Sequence, residues 1–408
     1  MTFRMRILHC LGSLDPTGGG LPKIAARLAA AQAALGHDVH LLLYRRPGAQ
    51  DAIDRELGAI PGAARLKTTY LPEASRWEGW TASEARRALR PLIAGFDFLH
   101  LHDLWLPLSK VAALAAREAD VPYTILLNGM LDPWSLAQKR WKKKLGLSLL
   151  GYRKMLDRAA FLHAGNDDEV RLIRPLELKA KPIVIPNGVF IEELTPLPPP
   201  GSFSKRHPHI GSRPFILFLS RLHYKKGLDY LADAFAIVAW RLAGVMLVVA
   251  GPDGGAEADF RRRVETLGVA DRVVVCGPVW GDDRLAAMAD AACMCLPSHQ
   301  EGFSLAITEA MGCGLPVVVS QGCHYPEVAE VGAGFVLPLD AQAFASALIR
   351  VMEDPELRQS MGRAGRELVL SRFTWPIVAE RTLAAYERHR RVALASRADT
   401  NVVASRVP

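Results

Sequence analysis

The stretch CMCLPSHQEGFSLAITEAMGCGLPVVVS, residues 293–320, contains one complete unit of an α/β fold. Its first four residues form an apolar run that predicts a short buried strand, and residues 297–300 have the composition of a loop. Apolar residues then recur at helical spacing until Gly312 and Gly314, which indicate the end of a helix. Residues 317–319 predict a second buried strand. The unit is strand, loop, helix and strand, and ligands of open α/β sheets bind where such a loop leaves its strand.

The turn that opens this helix has the features of a phosphate site. Unpaired backbone N–H groups and the helix dipole favour an anion at a helix N-terminus. We therefore expect the backbone N–H groups of Phe303, Ser304 and Leu305 to bind a phosphate, with Gly302 beside them among the donor-binding residues.

Two carboxylates, Glu301 and Glu309, flank that turn. Because a carboxylate repels a phosphate, we expect both side chains to accept hydrogen bonds from hydroxyl groups on either side of it. A phosphate between two polyols describes a sugar nucleotide. The alternative is an ordinary strand–helix–strand unit in which Glu309 merely favours the first turns of its helix.

The same alternation of strand and helix patterns extends over most of the chain. Strands are predicted at 6–10, 39–44, 98–102, 123–127, 161–164 and 183–185, and again at 215–219, 245–250, 273–276, 293–296 and 317–320. Amphipathic helices are predicted between most of them, which indicates doubly wound parallel sheets. A chain of 408 residues exceeds one ordinary core. The fold class predicted is α/β, with two Rossmann-like domains facing across a cleft.

Composition changes set the predicted domain boundaries. The first domain covers 1–194, and a proline-rich stretch beginning TPLPPPG gives a linker at 195–214. The second domain covers 215–372. Residues 373–408 predict a C-terminal helix with a flexible tail.

Other loops at predicted strand ends supply cations and close backbone approaches. In SRLHYKKG, residues 220–227, Arg221 can grip phosphate oxygens and Lys226 can add a point charge. Gly251 ends another strand and is expected to bind the donor, and Val279 beside Trp280 could form an apolar surface for its base. The alternatives are a surface Arg and Lys at a turn, and a tryptophan that packs in the core.

The glycines in DPTGGGLP, residues 15–22, follow the first predicted strand. They match neither a dinucleotide fingerprint nor a Walker loop, and a plain strand–helix turn is the alternative to a ligand-binding loop.

Glu301 and Glu309, with the RLHYKKG segment at 221–227, resemble the Glu-x7-Glu and Arg-Leu-x-x-x-Lys-Gly motifs of the retaining GT-B glycosyltransferases of family 4. Ser220 stands in place of the usual glycine. The resemblance implies that Glu301 holds the donor sugar and Glu309 the nucleotide ribose. It also implies that Gly19 and Gly20 face the donor phosphate, and that the final helix packs back on the N-terminal domain.

On the acceptor side the resemblance is looser. His102 resembles a histidine of the family at a strand end, for which a catalytic role is implied; a structural imidazole is the alternative. The segment NGMLDPW, residues 128–134, matches a subgroup pattern that includes Trp134. Asn128, however, stands where relatives usually place His or Arg, which puts a cationic or acid–base contribution there in doubt.

The charge distribution bears on partners. Residues 1–190 hold 27 Lys and Arg against 18 Asp and Glu, whereas the net charge of the whole chain is +8. In the densest basic segment, 139–154, basic residues alternate with apolar ones. This segment either contacts an anionic membrane or forms a solvated helix whose leucines face the domain core. No nucleic-acid motif accompanies the charge, and no apolar run is long enough to cross a bilayer.

Cysteine usage and acidic motifs bear on compartment and cofactors. Six scattered cysteines without metal-ligand spacing indicate a reducing cytoplasm. Since Asp-x-Asp is absent from the sequence, we expect neither a metal nor a cofactor.

These observations predict a retaining glycosyltransferase of the hexosyltransferase type. It would move a sugar from a nucleoside-diphosphate sugar to a hydroxyl of a glycan or lipid-linked saccharide in cell-surface polysaccharide biosynthesis. It would act in the cytoplasm or at the inner face of the cytoplasmic membrane. The alternatives are a sugar-nucleotide 2-epimerase of the same architecture and a non-catalytic nucleotide-sugar-binding protein. The donor base, the donor sugar, the acceptor and the oligomeric state are not readable from the sequence.

Overall fold

The computed structural model of the protein describes residues 4–15, 20–137 and 150–404, with the side chains of Trp134 and of 393–404 left undescribed. The chain divides into two compact units. The first contains residues 1–188 and 375–408, and the second contains residues 189–374.

The first unit is built on a parallel sheet of seven strands in the order β3-β2-β1-β4-β5-β6-β7. The strands are β1 (Arg6–Cys10), β2 (Asp38–Tyr44), β3 (Lys67–Leu71), β4 (Phe98–Leu101), β5 (Tyr123–Leu126), β6 (Phe161–Ala164) and β7 (Pro182–Val184). The helices up to residue 188 are α1 (Gly20–Ala34), α2 (Gln50–Gly58), α3 (Glu78–Thr81), α4 (Ser83–Ile93), α5 (Pro107–Glu118), α6 (Pro133–Ala137), α7 (Tyr152–Asp157) and α8 (Asp167–Ile173).

The second unit has a parallel sheet of six strands in the order β10-β9-β8-β11-β12-β13. The strands are β8 (Phe215–Leu219), β9 (Met246–Ala250), β10 (Val273–Gly277), β11 (Cys293–Leu296), β12 (Val317–Ser320) and β13 (Gly334–Leu337). The helices are α9 (Ser202–Arg206), α10 (Leu228–Arg241), α11 (Glu257–Thr266), α12 (Gly281–Asp290), α13 (Leu305–Gly312), α14 (Glu327–Glu330), α15 (Ala341–Glu353) and α16 (Pro355–Arg372).

The central strands of both sheets are covered on both faces, which explains their uninterrupted apolar sequences. Every residue of β8, β9, β11 and β12 is buried. Edge strands differ, because β3 alternates exposed and half-buried residues and β10 is half-buried throughout. The two parallel sheets confirm the predicted α/β class.

The last helix, α17 (Trp375–Ala404), belongs to the first unit although it follows the second along the chain. Its Trp375 and Tyr386 are fully buried. The Tyr386 ring stacks on Phe98 of β4 with the ring centroids 4.2 Å apart. The chain therefore completes the first unit only with its last segment.

The segment 195–214, for which the composition predicts a linker, is placed differently by the structure. It lies within the second unit, where Phe203 of α9 and Ile210 are fully buried. Asp290 of α12 accepts hydrogen bonds from the backbone N–H groups of Gly201 and Phe203 at 2.7 and 2.9 Å. The prolines thus shape a packed connection, because two large apolar side chains and a capping carboxylate fix it to the domain.

No helix in the described part of the chain is both long and apolar enough to span a membrane.

Candidate functional site

Several of the residues predicted to bind the donor follow β8 and β11, which are neighbours in the second sheet. From β8 the chain moves outward through β9 to β10 and then returns to β11, which pairs with the other side of β8. The loops after β8 and β11 therefore leave the sheet side by side, in the crevice where doubly wound sheets bind ligands. The first loop carries Arg221 and Lys226, and the second carries Glu301 and the helix start.

Lys226 and Glu301 contact each other directly across that crevice. The Lys226 ammonium donates to Oε1 of Glu301 at 2.5 Å, and the Ser298 hydroxyl donates to the same oxygen at 2.6 Å. The two charged side chains are only 14% and 11% exposed. No described residue bonds to Oε2 of Glu301, so the carboxylate is fixed by one oxygen and offers the other to a ligand.

Close backbone contacts hold this pair in place. Gly227 has a φ of +65°, and a Cβ there would lie 1.9 Å from the carbonyl oxygen of Pro297. The Glu301 N–H donates to the carbonyl oxygen of Gly322 at 2.8 Å, and a Cβ on Gly322 would lie 2.4 Å from the carbonyl oxygen of His299. Glycine is therefore required on both sides of the pair.

Arg221 is exposed at the start of the same loop. The next residue, Leu222, accepts a hydrogen bond from the Gly254 N–H at 2.7 Å, which ties the loops after β8 and β9 together. Gly251 has a φ of +150°, and a Cβ there would lie 1.9 Å from the carbonyl oxygen of Ser220. The structure thus gives Gly251 a packing role beside the donor-binding role predicted for it.

The start of α13 presents the expected amide groups. Ser304 is the N-cap residue with extended backbone, and its side chain makes no capping hydrogen bond. The N–H groups of the first turn are therefore not satisfied by the cap, as an anion site requires. Phe303 is buried against the rings of Tyr325 and Phe373, which fixes the turn. Gly302 lies between this turn and Glu301.

Glu309 is ion-paired with Arg284 of α12, a contact that the sequence does not predict. The charge of Glu309 raises the pKa of Arg284, against the opposing effect of burial. In the preceding loop Val279 is buried, while Trp280 is 60% exposed.

In the first unit His102 belongs to a buried cluster of four histidines, which also includes His9, His100 and His163. Ring nitrogens of His9 and His102 lie 2.8 Å apart, and those of His100 and His163 lie 3.3 Å apart. Each of these two pairs also contacts an acceptor oxygen outside the cluster. Nε2 of His9 lies at hydrogen-bond distance from Oε1 of Gln32, and Nε2 of His163 from the carbonyl oxygen of Ile185.

Those two acceptors fix the tautomers of the cluster, because a ring nitrogen that faces a carbonyl oxygen must carry the proton. His163 then accepts from His100, which accepts from the Tyr386 hydroxyl at 2.5 Å. His102 donates to His9, and Nδ1 of His102 has no hydrogen-bond partner among the described residues. These fully buried contacts match the structural alternative for His102 and give no support to a catalytic role.

We expect the cluster to make the first unit acid-sensitive. Burial lowers the pKa of His9 and of His163 from 6.5 to about 4. In the unfolded chain these imidazoles take up a proton near pH 6.5, whereas in the folded chain they do so only near pH 4. The free energy of unfolding therefore falls as the pH drops from 6.5 to about 4. The expected loss between pH 6.5 and 5 is roughly 2 kcal/mol per histidine.

Hydrogen exchange, corrected for the intrinsic pH dependence, measures this loss. Protection of amides in β1, β4 and β6 should fall more steeply with acid than protection in β8 and β11, which serve as the internal control. Equal pH dependence in the two units would contradict the expectation.

Asn128, which is predicted on the acceptor side, lies in a left-handed turn with Gly129. Their φ angles are +42° and +74°. Asparagine tolerates this conformation better than most residues, which is a backbone reason for its presence. Oε1 and Oε2 of the buried Glu169 accept hydrogen bonds from the N–H groups of Gly129 and Gly165 at 2.5 and 2.7 Å. Burial nevertheless raises the pKa of Glu169 to about 7.

Several predicted residues fall partly or wholly outside the description. Gly20 begins α1, whereas Gly19 lies outside the described residues. Trp134 is in α6, but its side chain is not described. Of the basic segment 139–154, residues 139–149 lie outside the described part, and Arg153 and Lys154 are exposed on α7.

One group of described residues has the spacing of a metal site: ligand atoms of His9, His100 and His102 lie within 4.8 Å of one another. The rings are stacked, with interplanar angles of 19° and 20° to His102, so their lone pairs run side by side and do not converge. Hydrogen bonds also occupy nitrogens of each ring. This arrangement suits a hydrogen-bonded core better than a metal centre.

Comparison with known families agrees with the geometry of both units. Residues 202–368 match the family described as glycosyl transferases group 1, and residues 19–188 match the glycosyl transferase 4-like domain. Fold and site thus define a GT-B glycosyltransferase. Within that class, the chain belongs to the group 1, family 4-like glycosyltransferases, which confirms the family predicted from the sequence.

Two relatives and one solved structure cover almost the whole chain. A phosphatidyl-myo-inositol mannosyltransferase of Mycobacterium leprae is 28% identical over 400 residues, covering 94% of this chain and 96% of the relative. A D-inositol 3-phosphate glycosyltransferase of Jonesia denitrificans is 27% identical over 412 residues, covering 91% and 92%. The UDP complex of Anabaena HepE superimposes with a TM-score of 0.74 at 20% identity, covering 94% of this chain and 100% of that one. The last likeness shows the fold.

Proposed function

We propose that this glycosyltransferase moves a sugar, with retention of anomeric configuration, from a nucleoside-diphosphate sugar to a hydroxyl group. The acceptor is a glycan or lipid-linked saccharide of the cell surface. The observation that carries this proposal is the Lys226–Glu301 pair at the meeting point of β8 and β11. It sets a cation and a hydroxyl-binding carboxylate beside the start of α13.

Each part of the sugar nucleotide then has a protein partner of suitable chemistry. Lys226 uses one of its three N–H groups on Glu301 and can direct another to a phosphate oxygen. Arg221 and the first-turn amides of α13 add further donors for the diphosphate. Oε2 of Glu301 accepts from a hydroxyl of the donor sugar, and Glu309 accepts from the ribose.

The reaction needs no protein nucleophile in this arrangement. As the bond between the anomeric carbon and the diphosphate oxygen breaks, Arg221 and Lys226 stabilise the charge that develops on the leaving group. The acceptor oxygen forms its bond to the same face of that carbon, and its proton passes to the departing diphosphate. Holding the acceptor hydroxyl against the anomeric carbon supplies the orientation that this step requires. We propose that no metal or cofactor takes part, since the cations and amides supply the neutralising charge.

The acceptor class is supported by what the relatives are named for. Both curated relatives carry names of enzymes that act on inositol phosphates, one of them a lipid. A hydroxyl on a phosphate-bearing, lipid-linked polyol therefore belongs among the acceptors to be tested. We propose that Asn128 and Trp134 lie on the acceptor side.

We further propose that the protein works in the cytoplasm at the inner face of the membrane and contacts anionic lipid through 139–154. The basic and apolar alternation of that segment supports this contact. No nucleic acid is among the proposed partners.

The proposal is tested with purified protein, UDP-, GDP- and ADP-sugars, and a panel of saccharide and inositol-phosphate acceptors in EDTA. We expect one nucleoside diphosphate to raise the unfolding temperature, because a ligand far above its Kd stabilises by several kcal/mol. The matching donor should give an α-glycoside of the acceptor from an α-linked donor, with the activity unchanged by EDTA.

Other outcomes separate the alternatives. Formation of an epimer without acceptor would identify the 2-epimerase. Nucleotide binding without transfer or hydrolysis would indicate a non-catalytic binding protein. Loss of transfer in EDTA, restored by magnesium, would contradict the metal-independent mechanism.

A further inference from the structure

Arg284 lies on α12, which begins directly after the exposed Trp280. Its Nη1 contacts Oε2 of Glu309 on α13, and the two side chains are only 21% and 19% exposed. Glu193, in the short turn Ile191–Glu193, adds to the negative charge around the guanidinium, and both acidic residues raise the pKa of Arg284. The arginine is thus charged and held chiefly by Glu309.

The contact restricts what Glu309 can do. A guanidinium on Oε2 fixes the carboxylate plane and balances its charge beside the proposed diphosphate site. No described residue bonds to Oε1. Glu309 therefore offers one fixed acceptor oxygen to a ligand, and a fixed oxygen costs less ordering when a hydroxyl binds.

The same arrangement is found on the other glutamate. Oε1 of Glu301 is held by Lys226 and Ser298, while no described residue bonds to Oε2. Each carboxylate is thus fixed by a cation on one oxygen and presents the second. This repeated arrangement is better explained by two carboxylates that are positioned to bind two hydroxyl-bearing rings than by an isolated structural ion pair.

We propose that Arg284 is a positioning residue for nucleotide recognition: it holds Glu309 so that Oε1 accepts hydrogen bonds from the hydroxyls of the donor's ribose. The inference rests on the proposed function, which assigns the ribose to Glu309. Arg284 acts through Glu309 and does not itself contact the phosphates, which Arg221 and Lys226 receive.

Nucleotides with and without ribose hydroxyls test this assignment. The tightest binder among UDP, GDP and ADP is compared with its 2′,3′-dideoxy form by calorimetry. Arg284→Leu should weaken binding of the ribonucleotide about tenfold and of the dideoxy form less than about twofold. Arg284→Lys should restore part of the loss. If the leucine variant does not fold, the lysine variant carries the same comparison.

Two further variants complete the design. Arg206→Leu is the matched control, because Arg206 pairs with Asp283, the neighbour of Arg284 on the same helix; it should leave both affinities unchanged. Combining Arg284→Leu with Glu309→Gln should weaken ribonucleotide binding no more than Glu309→Gln alone.

Equal losses for the ribose and dideoxy forms would overturn the inference and leave the proposed function standing. Additive losses in the double variant would overturn it as well. If the unsubstituted protein binds none of the three diphosphates, the proposed function fails and the inference fails with it.

Discussion

Lys226→Ala is expected to lower turnover by about 100-fold or more, the scale on which one preorganised charge contact contributes to a transition state. The substitution removes the cation that the proposed mechanism directs at the leaving diphosphate. It also leaves the Glu301 carboxylate with the Ser298 hydroxyl as its remaining described hydrogen-bond partner. The measurement is kcat at saturating donor and acceptor, with the unfolding temperature of the same samples recorded to show that the variant is folded.

Lys225→Ala is the matched control for this experiment. It removes the same charge from the adjacent position, whose side chain is not the one bonded to Glu301, and should change kcat by no more than about twofold. Near-normal turnover of Lys226→Ala would contradict the site. Equal losses in both variants would show that the overall charge matters and not the position.

Gly227→Ala is expected to destabilise the second unit strongly. A left-handed φ of +65° costs a residue with a Cβ about 1–2 kcal/mol, and the new methyl would lie 1.9 Å from the carbonyl oxygen of Pro297. Overpacking of this kind adds about 1–3 kcal/mol. The free energy of unfolding of the second unit should therefore fall by roughly 3 kcal/mol or more, measured by urea denaturation.

Gly211→Ala separates the two causes. Gly211 has a φ of +64°, yet a Cβ there would meet nothing within 4 Å. This control includes the same backbone penalty without the clash, so it should lose only about 1–2 kcal/mol. If Gly227→Ala is no worse than Gly211→Ala, the close approach of the β8 and β11 loops does not constrain the site.

The sheet positions of the donor residues could be predicted because apolar runs mark buried parallel strands and ligands bind at their carboxyl ends. That reasoning placed Arg221, Lys226 and Glu301 on one edge without knowledge of any contact. It missed β3 and β13, whose partly exposed edge positions lack a continuous apolar run. The prolines of 195–214 predict a linker, and two isolated apolar residues, Phe203 and Ile210, are too weak a pattern to predict that the structure packs this segment into the second unit.

Which side chains contact each other is harder to predict from the sequence. Nothing in the sequence links Arg284 to Glu309, since an arginine in an amphipathic helix ordinarily faces solvent. Only the folded structure reveals their contact. The histidine cluster shows the same limit. His9, His100 and His163 come from three strands, and the register of β1 against β4 is needed to bring His9 opposite His100. The sequence alone therefore presents His102 without the three histidines that surround it in the fold.

The return of α17 to the first unit has a consequence for synthesis on the ribosome. Tyr386, which completes the hydrogen bonds of His100 and stacks on Phe98, emerges only after all of residues 189–374 have been made. At ordinary elongation rates that delay lasts roughly 10 to 40 s. During that delay the nascent first unit lacks one wall of its core, and the second unit is the first to have its full sequence. The order of completion therefore reverses the order of translation.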